Sequence, residues 1–164
     1  MQHLPPFDAG VQIRRGRFVN SNPQDPFRDF VALAPSPGRG LGVFALCCSH
    51  ESGRILGAYH GRIVSRDYPI SDYVYYLKGK YVDGAAGIKG QCIHWSSRLN
   101  DLPSPQLQVA NSGSIKQIRP FHRGQELGID YGPGFWKGRS KQRSKNAGHF
   151  IRPSLLPIAP FFAK

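Results

Sequence analysis

The stretch Gly124–Trp136, GQELGIDYGPGFW, sets a single tyrosine, Tyr131, between an acid and a glycine, with Phe135 and Trp136 shortly after it. A phenol both donates and accepts hydrogen bonds and stays uncharged near neutral pH, so it can hold a polar reactant without adding charge. Other segments offer other chemistry. In GRGLG the glycines Gly38, Gly40 and Gly42 do not match G-x-G-x-x-G, and the VFAL that follows reads as strand. A dinucleotide site needs a helix N-terminus for its pyrophosphate, so that class is excluded. What remains is a turn whose glycines let a ligand come close to the backbone. Cys47, Cys48 and His50 do not suggest a metal site, because adjacent side chains of a strand point to opposite faces.

These residues must be positioned by strands. The 164 residues suffice for one domain with a single core, and 40% hydrophobic and 12% aromatic content with 19 Gly and 14 Pro favours strands and turns over a helix bundle. FVALAPSPGRGLGVFAL reads as a strand, a Pro/Gly turn and a second strand opening at Val43. GRILGAYHGRIVS continues with short β runs, and DYVYYLKGKYVDG reads as a hairpin turning at Lys78-Gly79-Lys80. Three more strands are expected between Leu107 and Gly132, separated by NSG and FHRG. IRRGRFV is a first strand candidate, and 91–97 has room for one helical turn. The expected fold is mainly β. No apolar run is long enough to span a membrane, and the first ten residues lack the pattern of a signal peptide. Three cysteines, with Cys92 the third, cannot all pair, which fits a reducing compartment.

The landmarks GRGLGVFA (38–45), GAYHG (57–61), YVDG (81–84), CIHWSSRLN (92–100) and IRPFHRGQELGIDYG (118–132) resemble, in order and spacing, those of the SET-domain protein lysine methyltransferases. The resemblance covers about residues 31–136, between an N-terminal extension, 1–30, and a basic, Pro-containing C-terminal segment, 137–164. It implies a SET-type fold of several small sheets with few short helices and a knot-like C-terminal threading. It also implies S-adenosyl-L-methionine as cofactor and a channel for the substrate lysine. Carried over position by position, Tyr131 is the tyrosine of the methyl-transfer site. Arg39, Gly40, Leu41, Gly42, His94 and Trp95 fall at cofactor-binding places, and Tyr59 and Ile129 in the channel. Two departures stand out. Where the family has R-F-x-N-H-S, this chain has Gln91-Cys92-Ile93-His94-Trp95-Ser96, somewhat as in the PR-type branch. No Cys follows Cys92, so no zinc cluster closes the channel; Phe135 and Trp136 are the expected cover, and no metal is expected.

Methyl transfer to lysine requires a neutral amine, yet with a pKa near ~10.4 only about one lysine in 2,500 is neutral at pH 7. A dry aromatic channel and a neighbouring sulfonium both lower that pKa, whereas a carboxylate would raise it. Glu126 and Asp130 are therefore expected to bond loop backbone rather than to act in catalysis. An apolar residue at 129 leans toward multiple methylation.

The net charge of +12 is unevenly spread, since residues 132–164 hold seven basic residues and no acid. Lys137, Arg139, Lys141, Arg143 and Lys145 form an expected grip on nucleic-acid phosphates. A lysine-bearing protein, a histone tail among the options, is the expected substrate, drawn by the few acids Asp67, Asp72, Asp83 and Asp101. An intracellular, nuclear setting follows from the resemblance. The rival reading is a SET-like module without turnover that binds protein or nucleic acid.

Overall fold

A computed structural model describes residues 14–15, 26–69, 73–84, 94–137 and 148–156. Its strands are β1 (Arg14–Arg15), β2 (Val31–Ser36), β3 (Gly40–Ala45), β4 (Ile55–Ala58), β5 (Arg62–Val64), β6 (Val74–Leu77), β7 (Lys80–Asp83), β8 (Asn100–Asp101), β9 (Leu107–Val109), β10 (Ser114–Gln117) and β11 (Glu126–Ile129). They make three small sheets, ordered β1-β2-β3-β11-β8, β4-β10-β9 and β5-β7-β6. All pairings are antiparallel except β8 with β11. The mainly β fold expected from the sequence is what the chain forms, with one four-residue α-helix, Pro133–Trp136, and 3-10 turns at Pro26–Phe30, Trp95–Arg98 and Pro153–Leu155 among the described residues.

Strands β2 and β3 are buried on both faces, which explains why VALA and VFAL are apolar without alternation. Val31, Leu33, Val43 and Ala45 face a large cluster with Phe27, Trp95, Leu99, Phe121 and Leu127. Their neighbours Ala32, Ala34, Phe44 and Leu46 face a smaller one completed by Ile151 and Leu156. Phe27 and Ile151 lie outside 31–136, so the packed unit is wider than the stretch that carries the family resemblance. The C-terminal segment is therefore not merely a tail: residues 148–156 cover one sheet face, and Phe150 bridges to Gln125.

The expected strand opening at Val43 is corrected by the register. β3 begins three residues earlier, with Gly40 opposite Ser36 and Leu41 opposite Pro35, so most of GRGLG is strand rather than loop. Only Pro37–Arg39 form the turn. The hairpin at 78–80 forms with Lys78 and Gly79 as its two central residues, both at positive φ (48° and 77°), the geometry whose twist matches that of paired strands.

Candidate functional site: an aromatic pocket at Tyr131

Tyr131 lies two residues past the end of β11 and is held by the segment beside it. β8 runs parallel to β11, with Gly128 opposite Asn100 and Ile129 opposite Asp101. This brings the Asp101 carboxylate to the Tyr131 N–H, which donates to Oδ1 at 2.7 Å. The Tyr131 hydroxyl donates to the Leu99 carbonyl, also at 2.7 Å. Backbone and side chain are thus both anchored to residues 99–101. Gly132, at φ 78°, then turns the chain into the short helix, whose Phe135 ring meets Tyr131 edge-on at 4.5 Å. Asp130 accepts from the Gly132 N–H at 2.7 Å and shapes the same turn.

Around Tyr131 lies a small pocket, with a cavity volume of about 20 Å3 behind an open mouth, lined by Tyr59, Val74, Tyr75, Ser96, Ser97, Leu99, Ile129, Tyr131 and Phe135. None of these side chains carries a charge at neutral pH. The rings of Tyr59 and Tyr75 are 5.0 Å apart, and the Tyr59 hydroxyl donates to the Tyr73 carbonyl at 2.7 Å. Gly84 makes room for it, since a Cβ there would sit 2.5 Å from the Tyr59 hydroxyl oxygen. Burial pushes the Tyr75 phenol up to about 12, with Asp101 and Asp130 adding to the effect. Burial pushes Tyr59 and Tyr131 higher still, aided first by the neighbouring Tyr75 in each case. The pocket therefore holds neutral phenols. With their protons directed at carbonyl groups, Tyr59 and Tyr131 offer acceptor lone pairs, which suits an N–H donor or a cation resting against rings.

The glycine strand lies at the same end of the sheet. β3 is antiparallel to β11, with Phe44 opposite Glu126 and Val43 opposite Leu127, so Gly42 and Leu41 run toward the Ile129 end. Asn100 ties them there, donating from Nδ2 to the Leu41 carbonyl at 3.1 Å and to Glu126 Oε1 at 2.9 Å. Glu126 is wholly buried; its Oε2 accepts the His149 N–H at 2.8 Å and lies 3.5 Å from the Arg39 guanidinium. Gly42 is required by this packing, because a Cβ would approach Glu126 Oε1 to 2.7 Å. Gly40, at φ 78°, has open space around its missing side chain, and Leu41 is exposed.

Several expected sites take other roles. The Arg39 side chain turns inward to Glu126 instead of toward a ligand. The Trp95 side chain, 0% exposed, packs edge-on against Phe27 at 5.3 Å and is a core residue, removed from any ligand contact by the apolar surface it buries. His94 caps the 3-10 turn: its Nδ1 accepts the Ser96 N–H at 3.1 Å and lies 2.6 Å from Ser96 Oγ, and its ring stacks on His60 at 4.3 Å. Phe135 lines the pocket, whereas Trp136 stands behind, near-parallel to Tyr131 at 6.4 Å. Tyr59 and Ile129 both line the pocket. Asp83 and Asp101 are buried, 2% and 6% exposed, and present no acidic surface to a basic partner.

Val74, Tyr75, Ser97 and Leu99 are lining residues that sequence reasoning missed. For Tyr75 a signal existed: in β6 it alternates with the exposed Tyr76, so the two must face opposite sides. Gln91, Cys92 and Ile93, and Arg139, Lys141, Arg143 and Lys145, fall outside the described residues, as does Asp72; Lys137 is described and exposed. Cys47 and Cys48 are free thiols, and burial, reinforced by Cys48, pushes Cys47 up to about 11. Among the described residues no cluster of His, Cys, Asp or Glu could hold a metal, and no helix is long and apolar enough to cross a membrane. No protein-family model matches the chain, and no curated protein matches it in sequence.

Proposed function

We propose that the chain is an S-adenosyl-L-methionine-dependent protein lysine N-methyltransferase of the SET type, with the Tyr131 pocket as its lysine channel. One observation carries the reading: Tyr59, Tyr75, Tyr131 and Phe135 surround a space lined by no charge, while two of the phenols have their protons committed to carbonyls. The residues fit the cofactor in two respects. The uncharged aromatic lining suits a sulfonium at the reacting end, and the backbone at Gly40 and Leu41 is open to a ligand. Those main-chain groups, with His94, would hold it; Trp95 and Arg39 would not. When bound, the cofactor supplies the electrophilic methyl group.

The protein residues do the rest. An ammonium entering the pocket loses hydration and meets no carboxylate, so its pKa falls and its proton is released to solvent. Tyr131 Oη accepts one N–H of the amine and so aims its lone pair. Tyr131 is not the base: burial keeps its phenol protonated, and that proton points to Leu99. Ile129 offers no hydroxyl to retain a water, which favours adding more than one methyl. The substrate is a lysine-bearing protein, a histone tail within chromatin among the options, in an intracellular, nuclear setting. Lys137, Arg139, Lys141, Arg143 and Lys145 add a contact to nucleic acid.

The test is mass spectrometry of a lysine-rich protein mixture incubated with the full chain and methyl-labelled cofactor. Label on lysine, reduced at least tenfold in Tyr131→Phe with calorimetric cofactor affinity unchanged, supports the reading. A second reading, a SET-like binding module without turnover, is favoured by Trp95 and Arg39 being consumed in packing. It predicts no saturable heat with S-adenosyl-L-methionine and no label, and that result would retire the enzyme.

A further inference from the structure

In the sheet β5-β7-β6 one row of side chains is open to solvent, although Val74, on the same face as Tyr76, lines the pocket. In β6, Tyr75 lines the pocket and Leu77 is buried, whereas Tyr76 between them is 62% exposed. The register sets Val64, Tyr81 and Tyr76 abreast on the outer face, one from each strand. The rings of Tyr76 and Tyr81 lie 5.0 Å apart, inclined at 53°. At one end of this row the turn carries the exposed Lys78; the exposed Lys80, opposite Leu77 in the register, falls on the other face of β7. On the far strand is the exposed Arg62, its guanidinium 5.5 Å from the centre of the Tyr68 ring and donating to the Tyr68 hydroxyl at 3.3 Å.

Charge decides what such a face attracts. Among the described residues of 62–84 the exposed cations are Arg62, Arg66, Lys78 and Lys80, against one exposed acid, Asp67. The partner is therefore anionic. Neighbouring ring faces select further among anions: unpaired bases stack on tyrosines, a duplex hides its base faces, and an acidic peptide has nothing flat to place there. We propose that the face of β5-β7-β6 that carries Tyr76 and Tyr81 binds single-stranded nucleic acid, with bases on those two rings and the phosphate backbone running between Lys78 and Arg62. Neither cofactor nor methyl transfer is involved, and the site is distinct from the basic segment at 137–145.

The test is fluorescence anisotropy of a labelled oligodeoxythymidine of about a dozen nucleotides titrated with the full chain at several salt concentrations. Tyr76→Ala, at an exposed position, is expected to weaken binding about tenfold, and Tyr76→Phe to restore it, because stacking needs the ring alone. Lys78→Ala is expected to flatten the plot of log affinity against log salt by ~0.7 for the phosphate no longer neutralised. Alanine replacement of the five cations at 137–145 changes that slope but leaves the Tyr76 effect intact. The proposal is overturned if Tyr76→Ala binds like the parent, if a duplex of equal length binds as tightly, or if a polyglutamate peptide outcompetes the oligonucleotide.

Discussion

The two ends of β11 bury opposite kinds of group. At its start Glu126 is a full charge taken out of water, accepted because Asn100, the His149 N–H and Arg39 surround its two oxygens. Just beyond its other end Tyr131 is a phenol that burial keeps uncharged far above neutral pH. A buried charge is tolerable only where its partners are fixed, so the Glu126 end serves as a clamp joining β3, β8 and the C-terminal segment. A buried neutral phenol leaves acceptor capacity unspent, so the Tyr131 end can receive a ligand. One strand thus supplies rigidity at one end and an open, uncharged slot at the other.

This contrast can be broken by substitution. The largest effect is expected for Glu126→Ala, which removes the buried carboxylate shared by Arg39, Asn100 and the His149 N–H and should cost about 3–5 kcal/mol in urea unfolding; a stability equal to the parent's would show that the clamp is not one. Gly84→Ala comes next. Its Cβ would press on the Tyr59 hydroxyl and on Ser97 Cβ, 2.7 Å away, for about 1–3 kcal/mol and a comparable loss of turnover as Tyr59 is pushed into the pocket. Tyr131→Phe should do the reverse of Glu126→Ala, removing at least tenfold of turnover while the hydrogen bond to Leu99 that it deletes costs only about 1 kcal/mol of stability. If instead it unfolds the protein as Glu126→Ala does, the two ends are not different in kind.

The smallest effect is electrostatic and arises at alkaline pH. The three pocket phenols keep their protons in the fold above the ordinary value of 10.0, whereas the unfolded chain releases them. Their contribution to stability is therefore complete below pH 10 and is lost as pH rises from there toward about 12 for Tyr75, and beyond for Tyr59 and Tyr131. Thermal unfolding followed between pH 9 and about 11.5 should show a falling midpoint above ~10, less steep in Tyr131→Phe. A flat profile would mean that these phenols are wetter than the geometry implies.

Much of this was legible in the sequence. The hairpin at Lys78–Gly79 and the strands around NSG were readable because turn chemistry and alternation are local signals. Tyr131 stood out because its neighbours are so constrained in type. Trp95 was misread: a large amphipathic ring serves equally as ligand contact or core, and only Phe27, from beyond the expected domain boundary, settles which. The start of β3 was misread because glycines signal turns in isolation, while here Gly42 is demanded by Glu126, far along the chain.

The sequence alone settled the β content, the turns and the excess of positive charge, since each depends on residue type and near neighbours. Tertiary structure alone decided which aromatics meet. Tyr59, Tyr75, Tyr131 and Phe135 come from three separate stretches of chain and converge through strand pairing and the β8–β11 contact. Such long-range closure is governed by the packing of the whole core, which no short window of residues contains.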